Sequence, residues 1–134
     1  MIGLDTNVLV RYVAQDDPKQ SAEANRVIGA LSPDDPGFVS VVSLVELVWV
    51  MQSCYSASKA EVVDVLTMLL RTRELVIENA ETAIQAVHHY AGSTADFADC
   101  LIARSAHKAG CDHTVTFDRK AAETASMRLI SNKA

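Results

Sequence analysis

Glu46 keeps unusual company. It stands among apolar residues in Ser43-Leu44-Val45-Glu46-Leu47-Val48-Trp49-Val50-Met51, on what the pattern predicts is an almost fully buried helix. Charged side chains seldom stay buried unless they are paired. A capping box offers a structural explanation, because Ser43 at an N-cap with Glu46 three residues on has the spacing that satisfies helix amides reciprocally. Asp5 follows the apolar start Met1-Ile2-Gly3-Leu4, where a strand hands over to a helix. Asp96 and Asp99 sit three apart in Asp96-Phe97-Ala98-Asp99-Cys100-Leu101-Ile102-Ala103, on one helical face beside Ala98 and Ile102. Asp118 ends His113-Thr114-Val115-Thr116-Phe117. Capping or the helix dipole gives each aspartate a structural role of its own.

The elements that must position these acids follow from periodicity. Short β-type runs cover Met1 to Leu4, Gly37 to Val42, Glu74 to Ile77, His113 to Phe117 and Arg128 to Ile130. Helical patterns fill the intervals: Thr6 to Val13, Pro18 to Leu31, Ser43 to Tyr55, Ser58 to Arg71, Asn79 to Tyr90, Asp96 to Ala109, and a short one after Asp118. Pro18 falls at a first helical turn and Gly110 just past a helix end, where each breaker belongs. Alternating strands and helices need crossover connections, which predicts an α/β sandwich: a mainly parallel five-stranded sheet with helices on both faces.

On such a sheet Asp5 and Asp118 lie beyond the carboxyl ends of strands, while Glu46, Asp96 and Asp99 lie in first turns of helices starting at the same edge. Ligands of open α/β sheets bind at that edge, so an acidic pocket is expected. Carboxylates within about 5 Å of one another in a partly apolar pocket must protonate or bind a cation. Hard oxygen ligands without histidine or cysteine favour Mg2+, or Mn2+, over zinc, and Mg2+ accepts substrate phosphate oxygens. The expected chemistry is phosphodiester hydrolysis, with the ion acidifying a water and a carboxylate orienting it.

Composition bounds the rest. A chain of 134 residues, 49% hydrophobic, suits one compact domain over residues 1–134 with a real core. The longest pure apolar run, Leu47 to Met51, is far too short for a membrane span. The N-terminus lacks a basic region followed by an apolar stretch, so a cytoplasmic location is expected. Cys54, Cys100 and Cys111 are odd in number and widely spaced, against a disulfide framework or a zinc knuckle. A net charge of -5 denies the chain the bulk positive field that holds duplex DNA by charge alone, without excluding a nucleic-acid substrate.

The pattern resembles the PIN-domain ribonucleases, in particular the VapC toxins of toxin-antitoxin pairs, over nearly the full chain. The resemblance rests on Asp5-Thr6-Asn7-Val8-Leu9-Val10-Arg11, on Val41-Val42-Ser43-Leu44-Val45-Glu46-Leu47-Val48-Trp49-Val50, on Asp96 to Ala103 and on Thr116-Phe117-Asp118. It implies that Asp5, Glu46, Asp99 and Asp118 are catalytic metal ligands, with Asp96 a further acid at the rim. Thr6, Asn7 and Thr116 occupy the places where the family sets residues that orient carboxylates. It further implies a PIN-like three-layer sandwich, magnesium-dependent cleavage of structured or single-stranded RNA to a 5′-phosphate and a 3′-hydroxyl, homodimerisation, and neutralisation by a small antitoxin. Arg11, foremost among Arg11, Arg104, Arg119 and Lys120, is the candidate for substrate phosphate.

Other features invite weaker readings. His88 and His89 are adjacent and so point to different helical faces, poor geometry for a shared metal. Cys111-Asp112-His113 has no partners elsewhere. The apolar residues from Val62 to Leu70 exceed one stripe, as in a broad core helix or one that meets another chain, such as an antitoxin helix. Three other functions compete. A metal-dependent phosphatase of the haloacid-dehalogenase type wants Asp-x-Asp where this chain has Asp5-Thr6-Asn7, and a receiver-type phosphoacceptor wants an aspartate after strand three, which ends Ile77-Glu78-Asn79. A non-catalytic module of the same fold would use its groove only to hold a protein.

Overall fold

The computed structural model describes residues 1–130. Among them are seven helices and five short strands, and every strand pairing is parallel. In chain order they are β1 (Ile2–Gly3), α1 (Thr6–Ala14), α2 (Pro18–Gly29), β2 (Gly37–Val39), α3 (Val41–Cys54), α4 (Lys59–Arg71), β3 (Leu75–Ile77), α5 (Ala80–Ala91), α6 (Phe97–Lys108), β4 (Val115–Thr116), α7 (Arg119–Thr124) and β5 (Arg128–Leu129). The α/β class and the order of elements are as the periodicity predicts. The chain forms two compact units, Met1–Ala80 and Glu81–Ala134. Among the described residues no helix is long and apolar enough to cross a membrane.

In the first unit β1, β2 and β3 form one ladder in that order, with Ile2 opposite Gly37 and Phe38 opposite Val76. Gly37 permits close packing there. A Cβ at this position would sit 2.9 Å from methyls of both Leu4 and Leu31. α1 packs against α2 and α3, α3 against α4, and α4 against β3. Leu9, Val39, Leu44, Leu47, Leu66 and Leu69 are fully buried. Local chemistry sets the helix starts. Asp17 accepts the Gln20 amide with Pro18 at the first position of α2, and Ser58 with Glu61 forms a reciprocal capping box on α4.

α3 departs from the sequence expectation in three ways. It begins at Val41 rather than Ser43, because Ser40 is the cap: its hydroxyl accepts the Ser43 amide at 3.1 Å. Glu78, just past β3, accepts the Val41 amide at 2.9 Å. These two bonds draw Val41 and Val42 out of the expected strand and into the helix. Glu46 is consequently in the second turn and forms no capping box. Nor is the helix almost fully buried, since Val42 and Trp49 are 66% and 65% exposed and Glu46 between them is exposed as well. In α4 only Val62, Leu66 and Leu69 form a buried stripe.

The second unit holds α5, α6, β4, α7 and β5. Tyr90 and Phe97 are buried edge to face, with centroids 5.9 Å apart. β4 pairs with β5, Val115 opposite Arg128, and α7 packs on both strands. The five strands therefore form two hydrogen-bonded ladders, of three and two strands, where one continuous sheet was expected. Alternation dictates parallel pairing, but strands of two or three residues carry too little pattern to specify their neighbours. Gly110 follows α6 with φ at +94°, a left-handed backbone that glycine adopts without a Cβ clash.

Candidate active site

In the first unit Asp5 occupies the N-cap position of α1 with an extended backbone, yet its side chain makes no capping bond. Its carbonyl accepts the Val8 and Leu9 amides, while its carboxylate is left exposed beyond β1. Thr6, the first residue of α1, is buried, and its hydroxyl donates to Glu46 Oε1 at 2.8 Å. That bond crosses from α1 to α3 and fixes one oxygen of the glutamate. The orienting role expected of Thr6 thus has a geometric counterpart. Asn7 is exposed and lines a cleft of about 270 Å³ with Val8, Arg11, Gln20 and Glu23.

Arg11 has partners within its own unit. Its Nε donates to Gln20 Oε1 at 2.7 Å, and its Nη1 lies 3.3 Å from Asp16 Oδ1. Tyr55 donates its hydroxyl to Asp16 Oδ2 at 2.8 Å. That phenol bond, aided by Arg11, holds the Asp16 carboxyl below its ordinary value. The Arg11 guanidinium is thereby bound to the corner between α1 and α2, and contact with a phosphate would fall to its remaining donors.

In the second unit Asp96 is the N-cap of α6 and, like Asp5, makes no side-chain cap bond. Its carboxylate lies 3.7 Å from Lys120 Nζ. Asp99 follows in the first turn, on a face that carries the exposed Ile102, while Phe97, Cys100, Leu101 and Ala103 are buried. The apolar neighbours expected beside Asp99 are therefore only partly covered. Partial burial pushes the Asp99 carboxyl above its ordinary value, and the anions of Asp96 and Asp118 push in the same direction against Lys120. Carboxylates from two helix starts thus act on Asp99.

Asp118 caps α7, with Oδ1 accepting from the Lys120 amide at 2.8 Å and the Ala121 amide at 3.4 Å. The structural role open to it in sequence is real, and it leaves Oδ2 without a hydrogen bond among the described residues. Thr116 acts on backbone rather than on a carboxylate, its Oγ1 accepting the Asp118 amide at 3.0 Å. Arg104 is remote from these acids along α6. It lines a small cleft of about 120 Å³ with His107, His113 and Ser126, and its buried Nε has no partner among the described residues. His89 shares Nε2 with the Thr124 carbonyl at 2.8 Å.

The donor set suits a hard divalent cation. It consists of carboxylates, and the crowding at Asp99 is the kind of repulsion that a cation relieves. Within either unit, among the described residues, no three His, Cys, Asp or Glu side chains are gathered tightly enough to enclose an ion. An incomplete set of carboxylates is chemically compatible with Mg2+, which usually keeps several waters. One contributor has no counterpart in the sequence reading. Glu78 meets α3 from 37 residues away, with no local signal. Lys120, expected only as a cation for substrate phosphate, lies against the Asp96 carboxylate.

An α/β chain with acids after strand one, on the third helix, at the start of the sixth and after the fourth strand has the layout of a nuclease-type fold. The family model for the PIN domain matches residues 2–127, and the chain belongs to that family. PIN domains are generally nucleases, hence hydrolases that bind nucleic acid, and commonly bind divalent metal ions. A search of curated proteins finds no match.

Proposed function

We propose that this chain is a magnesium-dependent endoribonuclease of the VapC toxin type, hydrolysing RNA phosphodiester bonds as a cytoplasmic homodimer and neutralised by a small cognate antitoxin. The observation that carries the reading is the placing of Asp96 and Asp99 at the start of α6 and Asp118 at the start of α7, where partial burial and then these two neighbouring anions disfavour ionised Asp99. Family membership over residues 2–127 supports it. The residues proposed to carry the reaction are Asp5 and Glu46 in the first unit and Asp99 and Asp118 in the second, with Asp96 assisting.

A bound Mg2+, or Mn2+, supplies Lewis acidity, lowering the pKa of a water and neutralising charge on the phosphate. The chain's own residues do the rest. Thr6 holds Glu46 Oε1, leaving the second oxygen for a ligand, and the α7 amides hold Asp118 Oδ1 with the same result. A carboxylate takes the proton of the attacking water. The water oxygen bonds to phosphorus as the P–O3′ bond breaks, the 3′ oxygen takes a proton from solvent water as it leaves, and the products carry a 5′-phosphate and a 3′-hydroxyl.

The test is a thermal melt with and without Mg2+, paired with sequencing of RNA ends after brief exposure to pure protein. Metal that binds only the folded form raises the midpoint, more for the wild type than for Asp5→Asn, and new 5′-phosphate ends appear only with the wild type. A non-catalytic module would show neither difference, and that result would overturn the proposal.

A further inference from the structure

The chain has seven aromatic residues, and their exposures divide sharply. Tyr90 and Phe97 are buried against each other, and Tyr55, 40% exposed, spends its hydroxyl on Asp16. The two most exposed are Trp49, at 65%, and Phe117, at 79%. Each stands beside a carboxylate of the proposed reaction. Trp49 is three residues past Glu46 on α3, so the indole and the carboxylate share one helical face. Phe117 immediately precedes Asp118. Each unit therefore carries one exposed ring close in sequence to a proposed ligand, on a shared helical face for Trp49 and by chain neighbourhood alone for Phe117.

Both aromatics sit on ordered backbone. Trp49 lies within the 14-residue helix α3. Phe117 lies in a turn tied on both sides, because Thr116 accepts the Asp118 amide and Asp118 accepts the amides of Lys120 and Ala121. Rings presented this way lose little conformational freedom on contact. Arg119, two residues past Phe117, is exposed and pairs with no carboxylate among the described residues. An exposed ring with a neighbouring cation is the combination that holds unpaired nucleic acid: bases stack on the ring while the cation meets phosphate. Duplex RNA keeps its bases stacked internally and offers no free face to such a ring.

We propose that Trp49 and Phe117 are base-stacking residues that hold unpaired nucleotides of the RNA substrate. This inference rests on the nuclease reading. Because the chain has a single tryptophan, its emission reports directly on the first contact.

The full-length Asp99→Asn protein is titrated with a short oligouridylate and with the duplex that this strand forms with oligoadenylate. The expected result is quenching of Trp49 by the single strand and not by the duplex. In the same background Phe117→Ala and Trp49→Ala, the latter followed by anisotropy of a labelled strand, each weaken binding by about 5- to 150-fold. Phe117→Tyr and Trp49→Phe restore most of it. Unchanged emission at saturation, equal affinity for the duplex, or alanine variants that bind like the parent would each overturn the inference. So would emission that changes on dilution of the protein alone and not with RNA, the mark of a contact between copies. If catalytically intact Trp49→Ala and Phe117→Ala proteins cut paired and unpaired RNA at wild-type rates, the stacking role falls and the nuclease reading stands. If wild type cuts no RNA yet the oligouridylate quenches, the reverse holds.

Discussion

Replacing Asp99 by asparagine separates what the side chain does for the fold from what it does for chemistry. Its carboxyl is raised above 3.8 by burial and by its acidic neighbours, so the folded chain holds that proton more firmly than the unfolded chain does. The stability contributed is complete below pH 3.8 and is lost as pH rises through the raised value. At neutral pH, without metal, ionised Asp99 therefore opposes folding. Asp99→Asn should melt at the same temperature as the wild type or higher in EDTA, while RNA cleavage disappears. A lower melting point at pH 7 would show that the ionised carboxylate is stabilising, and retained cleavage would remove Asp99 from the reaction.

Helix ends decide much at the scale of the element. The Ser58–Glu61 box on α4 is the most complete cap in the first unit. Ser58→Ala should cost about 1 kcal/mol, measured by denaturant unfolding. Glu61 is held below its ordinary 4.5 by the bonds from Ser58. Its contribution is present above pH 4.5 and fades as pH falls through the lowered value, so the unfolding free energies of wild type and Glu61→Gln should converge in acid.

The same scale shows what could be read from sequence. Apolar periodicity, Pro18 and Gly110 located the helices to within two residues at either end, because those signals are local. The start of α3 was misread because Ser40 and Ser43 are both plausible caps, and a distant glutamate decides between them. The surroundings of Glu46 were misjudged for a related reason. A run of apolar residues reads as burial, although Val42 and Trp49 lie in the open. The candidate acids stand out in the sequence by their type and order. Whether each one also caps a helix was not, since capping depends on side-chain torsions: Asp118 caps, whereas Asp5 and Asp96 occupy the position without making the bond.

For the whole molecule, charge constrains how RNA can be held. The chain carries 17 acidic and 12 basic side chains, and Arg11 and Lys120 already face carboxylates. Of the four cations named for substrate phosphate these two are engaged and Arg104 is half-buried, so on the proposed reading stacking and the divalent ion would supply much of the affinity. Binding of an unpaired oligonucleotide at constant Mg2+ should respond weakly to monovalent salt. With about two phosphate contacts the slope of log K against log salt is roughly -1.4. A slope several times steeper would mean that a basic surface, rather than rings and metal, holds the strand.

The bond from Val41 to Glu78 has a practical consequence. The helix that presents both Glu46 and the lone indole is sealed at its first amide by a carboxylate that arrives only after strand three is complete. A synthetic peptide spanning that helix, or a truncation ending short of residue 78, would leave the amide raw and the glutamate's helix frayed at its root. Glu46 therefore sits on a helix whose first amide is closed only once the downstream strand has emerged.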